Sequence, residues 1–265
     1  MPKNLHSIQL FLLDMDGTFY LGDRLISGAL EFMSFLSDQK IDYLFITNNS
    51  SKNASLYGKK IRTLGFNVPD EKIFTSGEAT AFFIKKHFSD HGIFLVGTHA
   101  LKEDFLRAGI KLTDKEPQAV VLGFDTTITY NKIWKICDFI RAGLPYIATH
   151  PDLNCPTESG YMPDIGSFIA LIEASTGRKP DAIVGKPNPF MVESVVSKTG
   201  VNVNRIAVVG DRLYTDIALG RAGLTTILTL SGESNEADIK TSPYQPDFIV
   251  RDLRDLLEIL NKKSG

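Results

Sequence analysis

The chain has 265 residues, 43% of them hydrophobic and 23% charged, with 29 Lys and Arg against 31 Asp and Glu for a net charge of -2. That composition supplies an apolar core and excludes disorder as the main state, and the near-neutral balance excludes a general pull toward nucleic acid or an anionic membrane surface. No apolar run approaches the roughly 18 residues of a membrane helix, and the stretch from Met1 to His6 leads straight into a strand-like run with neither an apolar h-region nor a cleavage site. Cys137 and Cys155 form no CxxC pair, so the expectation is a cytoplasmic protein with reduced thiols.

Short apolar runs alternate with stretches of helical periodicity, the pattern of an α/β protein built around a largely parallel sheet. Strands are predicted at residues 10–13, 43–47, 93–96, 119–124, 145–148, 183–184, 206–209, 226–230 and 247–250. Helices are predicted at 28–39, 51–64, 77–87, 99–108, 130–142, 166–175, 189–199, 214–222 and 253–261. Asp14 with Asp16, Thr47, Lys186 and Asp211 follow the ends of four of these strands, where the ligand site of an open α/β sheet lies. Residues 80–182 supply none of these groups but carry their own alternation. They are read as a smaller α/β cap domain inserted into a Rossmann-like core made of residues 1–79 and 183–265.

The segment Asp14-Met15-Asp16-Gly17-Thr18 sets two carboxylates just beyond an apolar strand, a pattern that chance places in about two chains per thousand of this length. Two close carboxylates need a cation, a shared proton or both, which suits one as nucleophile and metal ligand and the other as acid and base. An Asx-turn is the bland alternative. Thr47-Asn48-Asn49-Ser50 ends a second strand with a hydroxyl and amides that serve equally as an anion site or as a helix cap. Lys186, between Gly185 and Pro187, lacks the rest of a phosphate-binding P-loop. It reads either as a fixed positive charge or as a surface lysine in a turn. Asp211 and Asp216 follow the fourth strand, where oxygen ligands suit Mg²⁺ better than zinc.

Taken in order, DMDGT, FITNNS, VGKPNP and VVGDRLYTDI resemble the four motifs of the haloacid dehalogenase-like superfamily of phosphohydrolases. The middle insertion, with TNNS and GDRLYTDI, resembles its NagD and p-nitrophenylphosphatase branch. The resemblance covers essentially the whole chain. It implies Asp14 as the nucleophile that takes the phosphoryl group and Asp16 as the acid and base. It further implies Mg²⁺ held by the Asp14 carboxylate, the Asp16 backbone carbonyl and Asp211, with Asp216 behind them, and phosphoryl oxygens bound by Thr47, Asn48 and Lys186. The expected activity is hydrolysis of small phosphomonoesters, of the p-nitrophenyl phosphate, sugar phosphate or nucleotide type, through an aspartyl-phosphate. A phosphotransferase using the same intermediate and a non-catalytic phosphometabolite-binding module are the alternatives.

The segment from Ala148 to Gly166 resembles the branch's substrate-specificity loop, with His150, Asp152, Asn154, Tyr161 and Asp164 as groups that could touch the leaving group. The simpler alternative for Asp164 is a helix start. Trp134 is read as core of the inserted domain rather than as a stacking platform. The expected partner is a small-molecule phosphomonoester, with no nucleic acid and no membrane. The exposed cap surface is compatible with a homodimer, although no apolar stripe demands one.

Overall fold

The computed structural model describes residues 3–157 and 160–262, which fold as two units. Residues 1–47, 57–74 and 195–265 form the first and residues 48–56 and 75–194 the second. The second is nearly as large as the first, and it takes in residues 48–56, 75–79 and 183–194, which the sequence reading placed in the core. The reason is a set of hydrogen bonds within the second unit: the Asn48 amide donates to the Lys186 carbonyl at 2.9 Å, and Ser50 Oγ lies 2.9 Å from Thr149 Oγ1.

The first unit is built on a six-stranded sheet in the order Phe248–Val250, Thr225–Thr229, Ile206–Gly210, Leu10–Asp14, Asp42–Thr47, Ile73–Thr75. Leu10–Asp14 lies in the middle, paired in parallel with Ile206–Gly210 on one side and Asp42–Thr47 on the other. Sequence order runs outward from it in both directions, which makes its carboxyl end the switch point where such sheets bind ligands. Leu10, Phe11, Leu12 and Leu13 are all buried, as expected of a central parallel strand covered on both faces. The helix Ala29–Asp38 buries Ala29, Phe32, Met33 and Leu36 on one stripe, and Phe32 meets Phe11 edge-on at 5.5 Å. Leu253–Asn261 starts at Asp252, whose carboxylate accepts the Asp255 N–H, and buries Leu253, Leu256 and Leu260.

The second unit has its own parallel sheet, ordered Ala182–Ile183, Tyr146–Ala148, Ala119–Leu122, Ile93–Val96. The helices His99–Arg107 and Tyr130–Arg141 begin at Thr98 and Thr129, whose hydroxyls accept N–H groups of the first turn. Phe94, Val120, Leu122, Ile136, Ile140, Tyr146 and Ile172 are buried in its core. Trp134 is not: it is 61% exposed, because the inward stripe of its helix runs through Ile133, Ile136, Cys137 and Ile140 and leaves position 134 on the outer side.

Further differences are local. Residues 214–222, expected as a helix, form a 3₁₀ helix over Ile217–Ala222 only. Ile73–Thr75 is an additional edge strand, and Asn154–Thr157 pairs with Gly160–Pro163 as an antiparallel hairpin. Among the described residues no helix is long and apolar enough to cross a membrane.

Candidate active site

In the first unit, parallel register carries three carboxylates into one small volume. Leu13 pairs with Val209 and Asp14 with Ile46, so Asp14 and Asp211 follow neighbouring strand ends. Asp14, Asp211 and Asp216 each offer an oxygen, and these atoms all lie within 4.8 Å of one another. Asp211 and Asp216 are buried, at 2% and 0% exposure. Asp216 Oδ2 accepts the Arg212 backbone N–H at 3.2 Å, and the Thr215 hydroxyl lies 3.4 Å away. Three anionic groups at this separation disfavour joint ionisation unless a cation joins them, and an all-oxygen set is the donor chemistry of a hard divalent cation.

Asp16 stands apart from that group. The strand ends at Asp14, Gly17 turns with φ +87°, and the Asp16 side chain is 58% exposed. Its carboxylate accepts the Tyr20 hydroxyl at 3.3 Å and has Lys60 Nζ at 3.9 Å, while the same ammonium sits 4.1 Å from the centre of the Tyr20 ring. Burial, reinforced by Asp16, pushes the Tyr20 phenol well above its ordinary pKa, so it remains a donor to Asp16. Thr47 ends its strand almost completely buried.

The turn Ser231–Ser234 was not singled out in the sequence, yet it encloses Asp211. The Glu233 N–H donates to Asp211 Oδ2 at 2.7 Å, the Ser234 N–H to the Asp211 carbonyl at 3.1 Å, and the Ser231 hydroxyl to the Gly17 carbonyl at 2.7 Å. A Cβ on Gly232 would lie 2.0 Å from Asp211 Oδ2, so only glycine lets this backbone come so close. The Glu233 side chain pairs with Arg212 Nε at 3.0 Å and accepts the Tyr214 hydroxyl at 2.9 Å. Burial works against the Arg212 charge, but Asp14, Tyr214, Glu233 and Asp211 outweigh it and raise the guanidinium further above its ordinary pKa. Backbone donors leave no trace in side-chain composition; the only available signal was the Ser-Gly pair following a buried strand.

The second unit holds the remaining candidates. Lys186 is 3% exposed and Asn48 is 6% exposed. The side-chain N–H groups of Asn48 are committed to the Lys186 carbonyl at 2.9 Å and to the Asp152 carboxylate at 3.1 and 3.2 Å. His150 is fully buried, with Nε2 donating to Asp164 Oδ1 at 3.0 Å and Nδ1 lying 3.1 Å from the Thr149 hydroxyl. Asp164 also accepts the Ile165 N–H at 2.6 Å and opens the helix Ile165–Thr176. His150 and Asp164 thus form a buried pair that fastens the loop to the start of the helix. Asn154 and Tyr161 lie exposed on the hairpin, Tyr161 at 78%. His150, Asp152 and Asp164 also bring ligand atoms within 4.8 Å, but this group is already linked by the donors just described.

Residues 11–111 match the family described as haloacid dehalogenase-like hydrolase, and residues 183–256 a second described as HAD-hydrolase-like. The chain is 36% identical to the dihydroxyacetone phosphatase of Corynebacterium glutamicum, across 96% of this chain and 93% of that protein. It is 32% identical to the acid sugar phosphatase of Staphylococcus epidermidis, across 96% and 98% respectively. Among solved structures, the 4-nitrophenylphosphatase of Thermotoga maritima superposes with a TM-score of 0.93 at 49% identity, covering 96% of this chain and 98% of that one.

Proposed function

The chain belongs to the haloacid dehalogenase-like hydrolase family, as a phosphomonoester hydrolase of its NagD and nitrophenylphosphatase branch, and from that premise we propose a Mg²⁺-dependent phosphatase of small sugar phosphates, three-carbon phosphates included, that works through an aspartyl-phosphate on Asp14. The observation that carries this reading is the gathering of Asp14, Asp211 and Asp216 beyond the carboxyl ends of the central strands.

In the first step a carboxylate oxygen of Asp14 attacks phosphorus, the bond from phosphorus to the ester oxygen breaks, and Asp16 gives its proton to the departing alcohol. In the second step Asp16 takes a proton from water. The resulting hydroxide attacks phosphorus, the bond to Asp14 breaks, and inorganic phosphate leaves. The exposure of Asp16 and its hydrogen bond from Tyr20 suit a group that must meet both a leaving oxygen and a water.

The carboxylates of Asp14 and Asp211 with the Asp16 carbonyl would hold Mg²⁺, while Asp216 is braced behind them by the Arg212 N–H. Bound there, the cation supplies the charge neutralisation that lets an anionic nucleophile approach an anionic phosphate. Thr47, Asn48 and Lys186 are assigned to the phosphoryl oxygens. For Asn48 the donor is its backbone N–H, since its side-chain amide is already committed.

The test is phosphate release from a panel of phosphomonoesters, with Mg²⁺ and with EDTA. Release that depends on Mg²⁺ and favours triose and hexose phosphates is expected. Metal-independent release overturns the cofactor assignment. Transfer to added alcohols in preference to water makes the protein a phosphotransferase, and phosphate binding without any turnover makes it a binding module.

A further inference from the structure

Asp152 was singled out from the sequence as a group that could touch the leaving group, but the structure assigns it a different task. We propose that Asp152 is a positioning residue which, through the Asn48 amide, holds the backbone of Lys186, and so sets the phosphate affinity of the site rather than its choice of leaving group. The inference rests on the reading of Lys186 as a phosphate-binding residue.

The geometry forms a chain of three links inside the second unit. Asp152 is itself fixed: its carbonyl accepts the Gly166 N–H at 2.8 Å, and a Cβ on Gly166 would meet the Pro151 carbonyl at 2.4 Å, so this close approach needs glycine. Its carboxylate then accepts from Asn48 Nδ2 with both oxygens, at 3.1 and 3.2 Å. The same nitrogen donates to the Lys186 carbonyl at 2.9 Å, in a buried bond. Two acceptors around one amide nitrogen fix which end of the amide faces them, and an ionised acceptor makes the bond to Asp152 stronger than a neutral one.

Two further contacts stiffen the arrangement. The Ser76 hydroxyl donates to the Asn48 carbonyl, so main chain and side chain of Asn48 are both held. Gly185 sits against the amide's other end, where a Cβ would lie 2.7 Å from Asn48 Oδ1. Lys186 thus leaves a backbone gripped on the residue before it and on its own carbonyl. With Asp152 removed, the Asn48 side chain loses its anionic anchor, and the Lys186 backbone loses a partner whose orientation was set.

A leaving-group contact and a positioning role predict different data. The test compares the wild-type chain with Asp152→Ala and Asp152→Asn by calorimetric titration of inorganic phosphate in Mg²⁺, by KM and kcat on p-nitrophenyl phosphate, glycerol phosphate and a hexose phosphate, and by thermal unfolding. We expect phosphate binding about 10-fold weaker in Asp152→Ala, with KM raised by the same factor on all three esters. The loss should be smaller in Asp152→Asn, which keeps a neutral acceptor.

Unchanged phosphate binding in Asp152→Ala overturns the proposal. An effect that follows the leaving group overturns it too, and makes Asp152 a substrate contact. If Asp152→Ala fails to fold, Asp152→Asn decides: about three-fold weaker phosphate binding at unchanged melting temperature supports the proposal, and equal binding overturns it. Wild-type protein that binds phosphate without hydrolysing any ester overturns the phosphatase reading while the phosphate comparison still decides the role of Asp152; wild-type protein that binds no phosphate overturns both.

Discussion

Two groups of three side chains bring potential ligand atoms equally close, yet they are chemically opposite. In the first unit Asp14, Asp211 and Asp216 are all carboxylates, so the cluster carries like charges at short range. In the second, His150 and Asp164 bond to each other and Asp152 bonds to an amide, so each acid already has a matching donor. Proximity alone does not mark a cation site. What separates the two is donor chemistry: one set offers only carboxylate oxygens and the other includes an imidazole, and an all-oxygen set is the one that suits a hard divalent cation.

Substitutions can break that contrast, and the largest effect is expected at Asp14, the proposed nucleophile. Asp14→Asn keeps the shape but removes the attacking oxygen's charge, and initial rates should fall at least about 10⁴-fold. A variant that keeps a tenth of wild-type turnover would remove Asp14 from the chemistry. Asp164→Ala strips the buried partner from His150 together with the cap of Ile165–Thr176. Urea unfolding should show a loss of about 3 kcal/mol, with Mg²⁺ affinity unaltered; a variant of wild-type stability but lowered Mg²⁺ affinity would make the second group the cation site.

Gly232→Ala acts in the reverse sense. Its Cβ must displace the Asp211 carboxylate or the backbone of the turn, so calorimetric Mg²⁺ affinity should fall about 10-fold or more while the melting temperature without metal changes little. Equal Mg²⁺ affinity would show that the turn does not position Asp211.

The smallest effect comes from a half-buried acid in neither group. Burial, opposed by Arg107 and reinforced by Glu78 and Glu103, raises Asp104 to about 6 from an ordinary 3.8. An acid whose folded pKa lies above its unfolded value favours folding below the unfolded pKa, and that stability is lost as pH rises through the folded one. Asp104→Asn should therefore stabilise the chain at pH 8 by about 1 kcal/mol, discounted for its partial exposure, and should give no gain below pH 4. A gain that does not vary with pH would show that the Asp104 pKa is not raised in the folded chain.

Most central strands were legible in the sequence because buried parallel strands read as continuous apolar runs, as Leu10 to Leu13 and Ile206 to Val209 do. The carboxylate cluster was legible for the same reason, since Asp14 and Asp211 interrupt such runs at their ends. Ile73–Thr75 is too short for any period, and the hairpin at Asn154–Thr157 carries Pro156 and exposed side chains that read as loop. The bond between His150 and Asp164 was not legible, because polarity in a turn-rich segment does not reveal a partner fourteen residues away. The turn Ser231–Ser234 acts mainly through main-chain donors, which every residue except proline possesses.

The pairing of Leu10–Asp14 with Ile206–Gly210 has a consequence in time. The strand bearing Asp14 leaves the ribosome first, and the neighbour that brings Asp211 follows nearly two hundred residues later, roughly 10 to 40 s at ordinary synthesis rates. For that interval one edge of an apolar strand has no partner, while the Ile93–Val96, Ala119–Leu122 and Tyr146–Ala148 strands of the second unit emerge and can pair among themselves. The three carboxylates can meet only once residue 216 has emerged, by which time every strand of the second unit's sheet, the last at Ala182–Ile183, has already been made.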